Sequence, residues 1–278
     1  MESEEAKRRF FEDGYFVVRG GLGDGLVADI AHNVRLLLTE EDSLHRRAFP
    51  YQGSMIPASI INEPWSRLIS SDAILASLRQ IGSSDIKWLS GYLISKPPHS
   101  PRLWWHQDWW AWNTELSYAD MPAQISVLMY PAGSTEQNGC LRVIPGSHRK
   151  RHALHDVLPP AHTDEINRLS VSHPAFEVQP DEVTIPLAPN DFVVCDVRLL
   201  HATLANLTDA ERPGIVLWYL PNYSQLPGDF QTHYAQNQCQ PTGHDRLRMA
   251  ERLSPLVIPE TDCSSSIALE RLPGAEFR

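Results

Sequence analysis

Asn190-Asp-Phe-Val-Val-Cys-Asp-Val-Arg-Leu-Leu-His201-Ala-Thr-Leu-Ala-Asn206 is the stretch on which the fold turns. Phe192 to Leu199 is an apolar, partly β-branched run that reads as a strand delivering a histidine at its end. A turn through Asp209 follows, and Arg212-Pro-Gly-Ile-Val-Leu-Trp-Tyr-Leu220 reads as the returning strand, so the segment predicts a β-hairpin. In that hairpin His201 and Thr203 share a face, and Arg212 opens the second strand close to them.

Working outward, more short segments have the same texture: Ile86 to Ser95, Ala123 to Tyr130, Cys140 to Ile144 and Glu177 to Ile185. Each is rich in β-branched and aromatic residues and is bounded by Pro, Gly, Asn or Asp. Many short strands with few helical crossovers predict an antiparallel sandwich or barrel. Upstream, Ser3 to Asp13 reads as a short helix and Tyr15-Phe-Val-Val as a strand. Leu26, Ile30, Val34 and Leu37 recur at helical spacing from Asp24 to about Glu41, and Ser71 to Ile81 reads as a further helix with a Ser-Asp start. The expected organisation is one domain over residues 1–278. It has helical support over 1–85, a β core over 86–225 and a C-terminal extension over 226–278, with a helical insert from His148 to Leu169. The fold class is mainly β with flanking helices.

Composition narrows the function. The net charge of −10 argues against nucleic acid and anionic lipid as partners. Cys140, Cys195, Cys239 and Cys263 are scattered without a CxxC pair, so neither a disulfide framework nor a thiolate zinc site is expected. The acidic start Met1-Glu-Ser-Glu-Glu lacks an apolar stretch, and no apolar run is long enough to span a bilayer. A cytoplasmic protein with a small-molecule substrate, and with neither nucleic acid nor membrane as partner, is the expectation. Composition says nothing of oligomeric state.

The chemistry lies in Trp104-Trp105-His106-Gln107-Asp108. In an extended chain His106 and Asp108 point to one face, an imidazole and a carboxylate offered together. If this segment meets His201, the three form a two-His-one-carboxylate set that leaves adjacent coordination positions open, as non-haem iron(II) oxygenases require. Such a site needs a reductant to activate O2. The co-substrate 2-oxoglutarate supplies two electrons while chelating the metal, and its far carboxylate then needs a fixed cation. Arg212, eleven positions beyond His201, offers a planar fork of donors matched to a carboxylate. Thr203 can add a hydroxyl to the same carboxylate. Lys96, in Ser-Lys-Pro-Pro, is a further candidate to position it, against the plainer reading of a solvated strand end.

These residues resemble the phytanoyl-CoA dioxygenase superfamily of iron(II)/2-oxoglutarate oxygenases over most of the chain. Phe10-Phe-Glu-Asp-Gly-Tyr-Phe-Val-Val18 is similar to the family's opening strand, and Trp105-His-Gln-Asp108 to its proximal ligand motif. Asn138-Gly-Cys-Leu-Arg-Val-Ile-Pro-Gly-Ser-His148 is similar to its central segment, and Asp191 through Arg212, Asn206 included, to its distal half. The resemblance implies a double-stranded β-helix, or jelly roll. It also implies iron(II), 2-oxoglutarate and O2 as cofactors, with succinate and carbon dioxide as co-products. Related iron halogenases carry Ala or Gly where Asp108 stands, so hydroxylation or a kindred oxidation of an unactivated C–H bond is favoured over halogenation. The Trp-rich stretch and the tail after Leu226 match no subgroup, and the substrate is not carried over.

Trp104, Trp110 and Trp112 are candidates to line the substrate pocket, since alternation places Trp104 and Trp110 on the metal's face and Trp105 and Trp109 on the other. The plainer reading is core packing. His148, His152 and His155 lack a carboxylate partner and read as an exposed basic turn. Two rivals stand beside the oxygenase: a non-catalytic jelly roll that binds a metal or small ligand, and a hydroxylase acting on a protein. Release of succinate in air with iron(II) separates the first from an enzyme.

Overall fold

The computed structural model describes residues 3–40, 51–58, 62–237, 251–264 and 267–277. Its strands are β1 (Tyr15–Val18), β2 (Ser54–Pro57), β3 (Lys87–Lys96), β4 (Ile125–Met129), β5 (Leu141–Val143), β6 (Val183–Ile185), β7 (Phe192–Asp196), β8 (His201–Thr203) and β9 (Arg212–Leu220). They form a larger sheet ordered β1-β7-β4-β9-β3-β2 and a smaller one ordered β6-β5-β8. Every pairing is antiparallel. The fold is mainly antiparallel β with flanking helices, two sheets in the manner of a jelly roll.

Period-two alternation sorts the larger sheet into two faces. Ile215, Leu217 and Tyr219 of β9, Val127 and Met129 of β4, and Phe192 and Val194 of β7 join one core. Helices α1 (Ser3–Asp13), α2 (Asp24–Glu40), α3 (Glu63–Ile69) and α4 (Asp72–Gln80) supply its other half through Phe10, Ile30, Val34, Trp65, Leu68, Ile74 and Leu78. Each such side chain contributes about 1.5–3 kcal/mol by leaving water. Arg212, Gly214, Val216 and Trp218 take the opposite face of β9 and line a cavity. A register shift in β3 between Trp88 and Ser90 leaves Leu89 as a bulge and changes the strand's phase. Trp88 therefore joins the helix-side core, while Leu89 turns to a second core on the cavity side.

Several expectations are corrected. Residues 192–220 are not a hairpin: β8 pairs with β5 in the smaller sheet, while β9 lies between β4 and β3 in the larger one. Asn206 explains the crossing, because its side-chain amide donates to the carbonyls of Pro97 and Ala210, tying the turn to the end of β3. The Glu177–Ile185 strand shrinks to β6 behind the Pro180-Asp181 turn. The helical insert holds only a 3₁₀ turn (Ala153–Asp156) and one α turn, α5 (Asp164–Asn167). The span before residue 86 contributes two strands to the sheet, of which β2 was not expected. The C-terminal extension carries α6 (Gly228–Asn237), whose Phe230 and Tyr234 pack with Ile258, Phe277, Trp109 and Trp112. His148 and His155 are buried instead of exposed. His148 meets the Phe11 carbonyl, and His155 accepts from the His152 N–H in a capping box. Cys239 lies outside the described residues. Among the described residues no helix is long and apolar enough to cross a membrane.

Candidate metal centre

Backbone pairing brings the two halves of the site together. His106 and His201 face one another in a two-residue antiparallel bridge, with N–H to carbonyl distances of 3.0 and 2.9 Å. Asp108 is held in step by its N–H on the Val197 carbonyl, at 2.9 Å. Between them Gln107 turns away, and its amide donates to the Arg198 carbonyl. Arg198 is itself locked by a buried ion pair to Asp196 at 2.6 Å and by bonds to the carbonyls of Ser117 and Ala119. The turn that leads from β7 to His201 is therefore rigidly braced.

Donor atoms of His106, Asp108 and His201 all lie within 4.8 Å of one another. Each imidazole Nε2 stands 3.7 Å from a different oxygen of the Asp108 carboxylate. Each Nδ1 sits beside the carbonyl of the residue two positions earlier, Trp104 at 3.2 Å and Leu199 at 3.0 Å. Donation from Nδ1–H to those carbonyls fixes the tautomer and turns both Nε2 lone pairs toward the carboxylate. Burial, and then the neighbouring His201, push the His106 pKa well below its ordinary value, so the ring is neutral at pH 7 and can ligate. Burial alone would raise the Asp108 pKa. The adjoining His201 and a hydrogen bond from His162 outweigh it and hold the carboxyl below the usual carboxylate range. Two imidazole nitrogens and one carboxylate oxygen, enclosed on one side, would suit a divalent iron with coordination positions left open.

A narrow inner cavity runs from these donors toward Thr203, Lys96 and Arg212. Lys96 is not a solvated strand end. It is 1% exposed, Arg212 is 5% exposed, and the two are register partners across β3 and β9. Lys96 Nζ bonds the carbonyls of Pro101 (2.7 Å) and Tyr51 (3.1 Å). Arg212 Nη2 donates to the Gly139 carbonyl at 2.9 Å, and its guanidinium lies 4.7 Å over the Tyr130 ring. Its buried Nε has no hydrogen-bond partner among the described residues. Burial, then Arg212 and Arg142, push the Lys96 pKa well down. Two buried cations bonded to neutral carbonyls, one with an orphaned donor, fit a carboxylate guest. Gly214 makes room for it: a Cβ there would stand 2.8 Å from Arg212 Nη1 and 2.9 Å from the Tyr130 ring.

The Trp-rich stretch behaves differently from expectation, because beyond His106 the chain leaves the sheet and alternation lapses. Trp109 and Trp110 both line an outer cavity of about 1320 Å³, partly open to solvent. Trp110 is 38% exposed with Arg271 over its ring at 4.1 Å. Trp104 instead packs edge-on to His106, with ring centroids 4.6 Å apart, and lines neither cavity. Trp112 is fully buried against Phe277 and lines neither as well. Trp105 stacks on Arg142 at 4.3 Å, away from the donors.

One residue was missed altogether. His162 stands 3.3 Å from Asp108 Oδ1, edge-on to both Trp104 and His106, and lines both cavities. It adopts φ +57°, a left-handed conformation that costs a non-glycine residue about 1–3 kcal/mol. Its only sequence signal is the Pro159-Pro160 that precedes it, which carries no spacing relation to the donors.

The family model for phytanoyl-CoA dioxygenase (PhyH) matches residues 10–214. An ectoine dioxygenase of Sphingopyxis alaskensis is 28% identical over 165 residues, 54% of this chain and 52% of its own. The match thus spans about half the length of that relative. Among solved structures, HygX from Streptomyces hygroscopicus with nickel and 2-oxoglutarate bound superposes with a TM-score of 0.62 at 20% identity, over 78% of this chain and 86% of its own. The epimerase SnoN in complex with Fe3+, alpha ketoglutarate and nogalamycin RO does so with a TM-score of 0.60 at 20% identity, over 99% and 97%. Both show the same fold.

Proposed function

The chain belongs to the phytanoyl-CoA dioxygenase family of iron(II)/2-oxoglutarate-dependent oxygenases, and from that membership we propose that it hydroxylates an unactivated C–H bond of a small organic molecule. Its cofactors are iron(II), 2-oxoglutarate and O2. In this reading His106, Asp108 and His201 hold the iron, and Arg212, with Thr203 and Lys96, holds the far carboxylate of 2-oxoglutarate. The whole chain acts as one oxygenase unit.

Iron(II) with 2-oxoglutarate and O2 supplies the oxidising power, with succinate and carbon dioxide as co-products. The protein supplies position. His106 and His201, fixed by their backbone acceptors, present lone pairs without rearrangement. His162 holds one oxygen of the Asp108 carboxylate. Arg212, seated on Tyr130 and the Gly139 carbonyl, offers a fixed fork, and Lys96 adds a second charge at the same end. Leu128, Leu141, Ile94 and Val216 line the space between, an apolar surround that strengthens each of these electrostatic contacts. The carboxylate at Asp108 favours hydroxylation over halogenation.

The observation that carries the reading is the placement of three metal donors and an under-satisfied buried arginine in one cavity. Succinate release from 2-oxoglutarate in air with iron(II) tests it. The expected result is turnover by the parent chain and its loss in Asp108→Ala and His106→Ala. Parent-rate turnover in either variant would remove the triad assignment.

A further inference from the structure

The outer cavity deepens that reading by limiting what the substrate can be. Among the described residues its lining holds five aromatic side chains besides histidine and tyrosine 92: Trp109, Trp110, Trp218, Phe230 and Tyr234. Its polar lining is chiefly hydroxyl and amide, Gln52, Ser90, Gln124, Asn167 and Asn237, with the imidazoles of His162 and His233. Neither lysine nor arginine lines it among the described residues, and its one carboxylate is Asp108. Trp218 borders both cavities, and its buried indole N–H has no hydrogen-bond partner among the described residues.

The two inward rows of β3 and β9 place this wall relative to the cations. Lys96 faces Arg212 at one end, and Ser90 faces Trp218 at the other. Six residues of strand separate the ends, roughly 20 Å, with His106, Asp108 and His201 beside the run. Lys96 and Arg212 mark the inner end, and aromatic surface dominates the outer, where Arg271 lies over the Trp110 ring. A coenzyme A thioester would need cations for its phosphates, and a small zwitterion such as ectoine would need one for its carboxylate. Among the described residues neither lysine nor arginine lines the outer wall, and Arg271 is engaged on the Trp110 ring. Ring faces and neutral amides instead suit a flat, uncharged guest with oxygen acceptors.

We infer that the substrate is an uncharged, fused-ring or otherwise aromatic-bearing molecule carrying carbonyl or hydroxyl oxygens, bound between Trp110, Trp218 and the α6 residues Phe230 and Tyr234, with Trp218 Nε1 donating to one of those oxygens. The inference rests on the oxygenase reading above for the word substrate, and on the cavity alone for the binding.

Calorimetric titration of the full chain loaded with Mn(II) and 2-oxoglutarate tests it without turnover. Three probes are compared: 1,8-dihydroxyanthraquinone, ectoine and palmitoyl-CoA. The ring compound is expected to bind at least about tenfold more tightly than the others, with Trp218→Phe and Trp110→Ala each weakening it by roughly tenfold. Circular dichroism of both variants checks that they fold, and Trp218→Phe keeps the ring while deleting only the donor. Absence of ring-probe binding, equal binding of ectoine or palmitoyl-CoA, or indifference to both substitutions overturns the inference. A separate titration of 2-oxoglutarate into the Mn(II) protein reports on the inner cavity. Its failure would overturn the oxygenase reading and leave the ring-probe result standing.

Discussion

Lys96 and Arg212 stand directly opposite one another across β3 and β9, both buried, and their side chains donate to the main-chain carbonyls of Tyr51, Pro101 and Gly139. Two like charges placed so close repel one another unless an anion joins them. Arg212→Gln should therefore raise the KM for 2-oxoglutarate by about 100-fold, the loss of a charge-assisted bidentate pair. Lys96→Met should cost less, roughly tenfold, because it removes a point charge and no fork. Gly214→Ala should act through the same guanidinium, since its Cβ would crowd Arg212 and Tyr130. Succinate release at varied 2-oxoglutarate measures all three, and an unchanged KM in Arg212→Gln would refute the anchor.

His162 touches Asp108 without belonging to the donor set. His162→Ala should weaken Mn(II) binding about tenfold, the usual cost of removing a group that steadies a ligand. His162→Asn, which tolerates the left-handed backbone, should recover part of it if the side chain acts through a hydrogen bond. Calorimetric titration of Mn(II) decides, and equal affinity in all three proteins would make the contact incidental.

Stability should fall as pH drops from about 6.5 to 4. Burial pushes the pKa values of His148 and His155 down to about 4, so both are neutral in the fold at pH 5. The unfolded chain takes up those protons below about 6.5, which favours unfolding, by up to about 3 kcal/mol per histidine once pH reaches 4. Melting temperatures by circular dichroism at pH 7.5, 6 and 5 should descend. A flat profile would show that neither ring is buried neutral.

Much of the site was legible because ligation chemistry restricts residue type. His106, Asp108, His201, Thr203 and Arg212 were all singled out by identity and spacing, and the structure brings all five to one cavity. Strands β3, β4, β7 and β9 were visible as β-branched runs because sheet packing on two sides demands such residues. What was not legible depends on partners distant in sequence. The β2 strand at Ser54–Pro57 has no alternation of its own and owes its form to pairing with β3. The hairpin expected through Asp209 is replaced by a crossing between sheets because Asn206 binds the end of β3, a contact across about a hundred residues. Trp110 and Trp112 differ in fate although both follow His106, since one meets the open cavity and the other meets Phe277. Lys96 looked solvated because strand ends usually are, and its burial comes from Tyr51, Pro101 and Gly139, contacts that strand periodicity does not announce.

The family match stops at residue 214, yet Phe230, His233, Tyr234, Asn237 and Leu269 finish the outer cavity. In the proposed reading the metal donors all lie within the matched stretch, while the outer wall is shared between that stretch, through Trp109 and Trp110, and the segment beyond it. Exchanging the segment after Leu220 would then alter part of the outer wall, provided the new segment keeps the apolar seat under Trp109 and Trp112 beside Asp108.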